Sequence, residues 1–188
     1  PKAAGGCALE GDSQAVRKNN AKATHAYARA RELGAGTRVL LKEADALQNS
    51  QGSAAVIKLL ANWVGEHKND VAAHYALATT YSKEGRSAEA VKELERLLEG
   101  TPKHVPALND LAWLLYQVGK PGKALQLIEK AYELRPDSGP VLDTIGWIKL
   151  HQGEEKQALG LLRQAAEKMP QTADVQYHLA EALARTGK

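Results

Sequence analysis

A period of 34 residues is the feature that most constrains how this chain can fold. Proline, alanine and glycine each recur at that interval over the second half of the sequence. The recurring positions are Pro102, Pro136 and Pro170; Ala90, Ala124 and Ala158; and Gly85, Gly119, Gly153 and Gly187. A fixed period of this length is typical of repeat proteins, in which one unit cannot bury its own apolar face and neighbouring units must stack.

The repeat that begins at Val105 has the pattern of two antiparallel helices. Its leucines at 108, 111 and 115 follow the spacing of three and four residues that predicts the buried stripe of a first helix. Gly119 predicts a left-handed residue that ends this helix, and Pro136 predicts the end of the second helix. Ala112 and Ala124 allow the two helices to approach closely. We therefore expect an all-α fold, a right-handed α-solenoid of antiparallel helix pairs.

The same phase extends toward both ends of the chain and weakens toward Pro1. We expect a single solenoid domain over residues 1–188, with repeats at about 4–36, 37–70, 71–104, 105–138 and 139–172 and a half-repeat at 173–188. Because the chain begins at Pro1 without a methionine, we expect it to be a fragment of a longer protein.

Several classes of function are disfavoured by what the sequence lacks. A formal charge of +3 without a basic stripe argues against a nucleic-acid partner. No apolar run reaches the roughly 20 residues that a membrane-spanning helix needs. The six histidines, including His67 and His74, do not have ligand spacing with a carboxylate, so we expect surface histidines and no metal site. Without a phosphate-binding loop or a recognisable catalytic arrangement, we expect no cofactor and no enzymatic activity.

The columns of small and large residues resemble the tetratricopeptide repeat (TPR), most strongly from Val71 onward. Four segments also resemble the C-terminal part of a narrower family, the TPR-repeat lipoproteins of the exosortase (PEP-CTERM) system, which are encoded among exopolysaccharide genes of Gram-negative bacteria. These segments are ALNDLAWLL from Ala107, AYELRP from Ala131, VLDTIGWI from Val141 and YHLAEALA from Tyr177. The narrower resemblance implies a lipid-anchored protein of the cell envelope or periplasm, with further repeats ahead of Pro1.

The TPR resemblance also implies a binding groove on the inner face of each first helix, at positions two, five, nine and twelve of the repeat. Polar and aromatic side chains occupy most of these positions. The predicted groove residues are Tyr75, Thr79, Ser82, Asn109, Trp113, Tyr116, Asp143, Trp147, Leu150, Tyr177 and Glu181.

Aromatic side chains near amides and carboxylates suit protein recognition, so the leading hypothesis is a scaffold that binds an extended or helical partner segment. Asn109 lacks the basic neighbours of the clamp that some TPR proteins use for C-terminal carboxylates, and such a ligand is disfavoured. Trp113 and Trp147 occupy one column, so packing on each other or on the adjacent helix is an equal alternative for them. Two other hypotheses stay open: stacking of a polysaccharide on the aromatic rings, and a purely structural spacer within a longer solenoid.

Overall fold

The computed structural model describes residues 2–187; Pro1 and Lys188, the ends of the predicted domain, lie outside that range. Within residues 2–187 the chain forms eleven α-helices and no strand. The helices are α1 (Lys2–Val16), α2 (Asn20–Glu32), α3 (Thr37–Gln51), α4 (Ser53–Glu66), α5 (Val71–Lys83), α6 (Ser87–Gly100), α7 (Val105–Gln117), α8 (Pro121–Leu134), α9 (Gly139–His151), α10 (Glu155–Lys168) and α11 (Ala173–Arg185). Consecutive helices pack in pairs from α1–α2 to α9–α10. The structure confirms the all-α class of helix pairs.

The turns inside the helix pairs depend on residues with positive φ. Gly85, Gly119 and Gly153 have φ of +70°, +75° and +86° and follow α5, α7 and α9. Glycine adopts this left-handed conformation without the steric cost that a Cβ atom adds. In the turn between α1 and α2, Lys18 takes the left-handed conformation at φ 59°. The glycine prediction is therefore confirmed, and its loss at Lys18 matches the weaker repeat at that end.

The residues up to Gly100 form one compact unit, which contains α1 to α6. One of its cores joins three helices through the fully buried leucines Leu40 on α3, Leu60 on α4 and Leu77 on α5. Side chains on α2 and α3 are joined by an ion pair, in which Arg31 Nε lies 2.8 Å from the buried Glu43 carboxylate. Apolar burial thus holds consecutive helix pairs together, and the charges that lie inside are paired.

His74 belongs to the core of this unit, so the expectation of a surface histidine was wrong there. Its side chain is buried, with Nδ1 at 2.7 Å from Glu93 Oε2 and Nε2 at 3.0 Å from the carbonyl oxygen of Lys68. His74 lies one turn before Leu77 on the buried face of α5. The two hydrogen bonds satisfy both ring nitrogens and make that burial tolerable.

The residues from Thr101 onward form a second compact unit, which contains α7 to α11. Ala112 and Ala124 have no exposed surface, as the predicted close approach of α7 and α8 requires. In the next pair Gly146 is buried, and a Cβ atom placed there would lie 2.8 Å from Leu162 Cγ. The column of small residues therefore marks the contact between the helices of each pair. That all repeats form one domain stays a prediction.

Candidate functional site

The three predicted groove residues of the first unit lie on α5. Tyr75 is half-buried, and Thr79 is half-buried with its hydroxyl donating to the Ala76 carbonyl at 3.0 Å. Ser82 is exposed near the end of the helix. These residues share one side of α5, and a binding role for them stays a prediction.

In the second unit the first helices are neighbours, because α9 packs against both α7 and α11. Their shared side carries a continuous group of aromatic and imidazole rings, in which the centroids of neighbouring rings lie 4.0–6.1 Å apart. These distances fall within the range of about 4.5–7 Å, or slightly below it, at which aromatic pairs interact. We call this group the aromatic cluster. Its members are Trp113 and Tyr116 on α7, Trp147 and His151 on α9, and Tyr177 and His178 on α11.

Trp147 lies at the centre of the aromatic cluster. Its ring stacks on His178, with centroids 4.0 Å apart and an interplanar angle of 29°. The ring centroids of His151 and Tyr177 lie 4.2 and 5.9 Å from that of Trp147. The indole also packs beside the core that contains Leu162 and Ala182. Packing across α9 and α11 therefore accounts for the position of Trp147.

A hydrogen bond to Asp143 holds His178 under this indole. Both carboxylate oxygens of Asp143 lie near His178 Nδ1, at 2.9 and 3.0 Å. Because a carboxylate accepts hydrogen bonds, Nδ1 carries the proton. Only 9% of the His178 side chain and 14% of the Asp143 side chain are exposed. Asp143, predicted as a groove residue, thus orients the histidine against which Trp147 packs.

The outer part of the aromatic cluster is accessible to a partner. Tyr177 is 61% exposed, an unusual value for a side chain of this size. Trp113 and Tyr116 are half-buried and contact each other at 6.0 Å, and Trp113 lies 6.1 Å from His178. Burial raises the pKa of the Tyr116 hydroxyl. Trp113, Tyr116 and Tyr177 therefore present aromatic surface while the rings beneath them hold it in place.

Glu181 and Arg185 border the aromatic cluster on α11. The Arg185 guanidinium donates to Glu181 Oε1 and approaches His151 Nε2 at 3.3 Å. This donation, together with a hydrogen bond from Tyr177, lowers the pKa of Glu181. The bond to Glu181 in turn raises the pKa of the Tyr177 hydroxyl. Glu181 therefore carries its negative charge at neutral pH beside an exposed ring.

Asn109 contributes an unsatisfied polar atom on α7. Its amide nitrogen donates to Asp110 Oδ1 at 3.2 Å. Its Oδ1 atom is buried and has no hydrogen-bond partner among the described residues. A buried acceptor without a donor costs about 1–3 kcal/mol. A hydrogen-bond donor supplied by a binding partner would explain why this buried acceptor is left unpaired.

Leu150 was also predicted as a groove residue from its repeat position, but the structure does not place it in the groove. It has no exposed surface and packs with Leu159, Leu162 and Ala182. Leu150 is buried because the neighbouring helix α11 covers the end of α9, with Ala182 packed against it. Arg185 of α11 also contacts this end, with its Nη1 atom 3.4 Å from the Leu150 carbonyl oxygen. The side chain belongs to the core.

His151 and His178 are cluster members that the repeat columns did not identify, because histidines were expected at the surface. A usable signal exists in the spacing. Asp143 and His178 are 35 residues apart, and His151 and Arg185 are 34 apart. Complementary polar residues separated by about one repeat thus face each other across adjacent first helices.

Two other kinds of site receive no support from residues 2–187. Across that range, no group of three or more histidine, cysteine, aspartate or glutamate side chains is arranged to hold a metal ion. The same residues include no helix whose length and apolar character would allow it to cross a membrane.

Comparison with known proteins relates the chain to one repeat family. The family model for the tetratricopeptide repeat matches residues 70–137. No curated protein matches the sequence.

Solved structures match over nearly the whole chain. A crystal structure of MamA matches with a TM-score of 0.72 at 19% identity, covering 92% of this chain and 94% of that one. A tetratricopeptide repeat protein from Parabacteroides merdae matches with a TM-score of 0.81 at 14% identity, covering 100% and 75%. YrrB, described as a TPR protein with an unusual peptide-binding site, matches with a TM-score of 0.67 at 18% identity, covering 87% and 85%. Residues 70–137 are therefore tetratricopeptide repeats by sequence, and the chain has the tetratricopeptide-repeat fold.

Proposed function

We propose that this protein is a non-catalytic scaffold that binds a segment of a partner protein on the aromatic cluster of its second unit. The observation that carries the proposal is the exposure of Tyr177, at 61%, on top of rings that packing holds rigid. Exposed aromatic side chains with few rotatable bonds on a rigid support are typical of binding hot spots. The peptide-binding site named for YrrB, a protein of similar fold, supports the same class of function.

The binding role belongs to Trp113, Tyr116 and Tyr177, together with the unsatisfied Oδ1 of Asn109. Trp147 acts beneath them as a support, since His178, His151 and Tyr177 pack around its ring. This division distinguishes residues that contact the partner from residues that position them.

A polysaccharide ligand is less well supported by the geometry. Sugar rings stack on open aromatic faces, and the Trp147 ring already has His178 stacked on it at 4.0 Å. Tyr177 has the accessible area for such stacking, but it stands alone rather than in a row of parallel rings. We therefore prefer a protein segment as the ligand. Participation in exosortase-linked or exopolysaccharide-linked envelope assembly is part of the proposal, and it rests on the sequence segments that resemble those lipoproteins.

The test is affinity capture from an extract of the native cell with three single variants. Tyr177→Ala and Trp113→Ala remove exposed ring surface, and Val118→Ala is the matched control because Val118 is 49% exposed but lies in the turn after α7. We expect the first two variants to lose the partner that wild type and Val118→Ala retain. Thermal melting of each variant accompanies the capture. Retention of the partner by Tyr177→Ala and Trp113→Ala would refute the proposed site.

A further inference from the structure

Tyr177 has a carboxylate one helical turn away on each side. Asp174 precedes it by three residues and Glu181 follows it by four, so the three side chains lie along one face of α11. Asp174 is exposed, and 24% of the Glu181 side chain is exposed. The aromatic ring with the largest exposed fraction in the cluster is thus flanked by negative charge.

The first helices of the second unit carry more acidic than basic residues, whereas its second helices do not. Its first helices carry the acids Asp110, Asp143, Asp174 and Glu181 and the bases Lys149 and Arg185. Lys149 is bound to Glu154, at 2.7 Å, which lies outside these helices. The second helices, α8 and α10, have the opposite balance, with bases Lys123, Lys130, Lys156, Arg163 and Lys168 and acids Glu129, Glu133, Glu155 and Glu167. Asp143 is bonded to His178 and Glu181 to Arg185, so the negative charge exposed beside the Tyr177 ring is mainly that of Asp174.

A cation suits this combination better than a neutral or acidic group. The face of an aromatic ring attracts a guanidinium or ammonium group through its quadrupole, and flanking carboxylates add Coulombic attraction and accept hydrogen bonds. Arg185 illustrates the chemistry within the chain, since its guanidinium donates to Glu181 beside the Tyr177 ring. The unsatisfied Oδ1 of Asn109 is a further acceptor without a donor on these first helices.

We infer that the aromatic cluster recognises an arginine or lysine side chain of the partner segment, which docks on the Tyr177 ring between Asp174 and Glu181. This inference rests on the proposed function, because it names the chemistry of the segment that the cluster binds. An acidic segment would meet the like charge of Asp174 on one side of Tyr177 and, on the other side, a Glu181 carboxylate that already has Arg185 as its partner. The surface is thus selective for the sign of the partner's charge.

A display library of short random-sequence peptides, selected on the full chain at low salt, tests the inference. Four variants accompany the wild type. Tyr177→Leu removes the aromatic ring from α11, and Asp174→Asn and Glu181→Gln each remove one negative charge from that helix. Glu167→Gln is the control, because it removes one negative charge from α10, which is the second helix of its pair. We expect wild-type binders to be enriched in arginine and lysine. Their binding should weaken in the first three variants and persist in Glu167→Gln.

The selected peptide is then synthesised in two forms, with its key arginine or with citrulline, the neutral isostere. We expect the arginine form to bind about tenfold more tightly, and the difference to shrink as salt is raised. Equal affinity of the two forms, or binders that are acidic yet depend on Tyr177, would overturn the cationic preference and leave the proposed binding site standing. The Trp113→Ala variant of the capture experiment is tested with the same peptides, and binders whose affinity is unchanged by both Tyr177→Leu and Trp113→Ala would overturn both the cationic preference and the proposed site.

Discussion

Two glycines of one helix pair provide a matched test of the packing that the repeat imposes. Gly146 on α9 is buried, and an added Cβ atom would lie 2.8 Å from Leu162 Cγ, 3.0 Å from Leu162 Cδ2 and 3.3 Å from Leu161 Cβ. Gly160 on α10 is exposed, and an added Cβ atom there would have nothing within 4 Å. Both positions lie inside helices, so replacement by alanine has the same benefit for helix propensity at each.

The magnitudes follow from these two environments. Alanine is favoured over glycine in a helix interior by about 1 kcal/mol, so Gly160→Ala should stabilise the protein by up to about that amount. At Gly146 the same gain is opposed by overpacking against the buried Leu162, which typically costs about 1–3 kcal/mol. We expect Gly146→Ala to destabilise the protein by about 1 kcal/mol, so that the two variants differ by about 2 kcal/mol.

Urea denaturation followed by circular dichroism measures both free energies of unfolding, with unchanged m-values as the control for comparable unfolding. A Gly146→Ala variant as stable as Gly160→Ala would refute the reasoning. The approach of α9 and α10 would then not require glycine at position 146.

Three other predictions concern the buried polar groups and the aromatic cluster. Burial and the bonded carboxylate of Asp12 raise the pKa of Tyr27 to about 12. This contribution to stability is complete below the ordinary tyrosine pKa of about 10 and is lost as pH rises through about 12. Absorbance titration should therefore detect a tyrosine that ionises near pH 12, and Tyr27→Phe should remove that ionisation. His74→Ala removes one hydrogen-bond partner of the Glu93 carboxylate and leaves Arg96, at 3.4 Å, as the other, so it should destabilise the protein by about 1–3 kcal/mol in urea denaturation; retention of wild-type stability would contradict the role of the His74–Glu93 contact. Trp147→Ala should lower stability by about 2 kcal/mol while Tyr177→Ala changes it by less than about 0.5 kcal/mol; equal effects would contradict the division between supporting and exposed rings.

The sequence predicts the parts of this fold that depend on local periodicity. Helix ends follow from Gly119 and its equivalents, which adopt positive φ, and the small column at Ala112 and Gly146 marks the contact between paired helices. These features are predictable because each is set by a residue's position within its own repeat.

The composition of the candidate site was harder to predict because it depends on contacts between repeats. Leu150 occupies a groove position by count, but α11 covers it. His178 lies at helical spacing between the buried Val175 and Ala182 of its own helix, but its contacts with Asp143 and Trp147 of the preceding repeat do not follow from that spacing. Repeat position therefore predicts which side of a helix a residue occupies, whereas its burial also requires knowledge of the next helix.

The three tryptophans of the chain offer the most direct test of the aromatic cluster as a binding site. Trp113 and Trp147 belong to the cluster, whereas Trp63 lies in the other unit with its indole N–H donating to Asp70 Oδ2 at 2.8 Å. Each indole gives its own N–H signal in a ¹⁵N-correlated NMR spectrum and can be assigned by single Trp→Phe replacement. On titration with a selected peptide, we predict that the Trp113 and Trp147 signals shift in a saturable manner while the Trp63 signal stays in place. Saturable binding that moves only Trp63, or none of the three indole signals, would contradict recognition at the aromatic cluster.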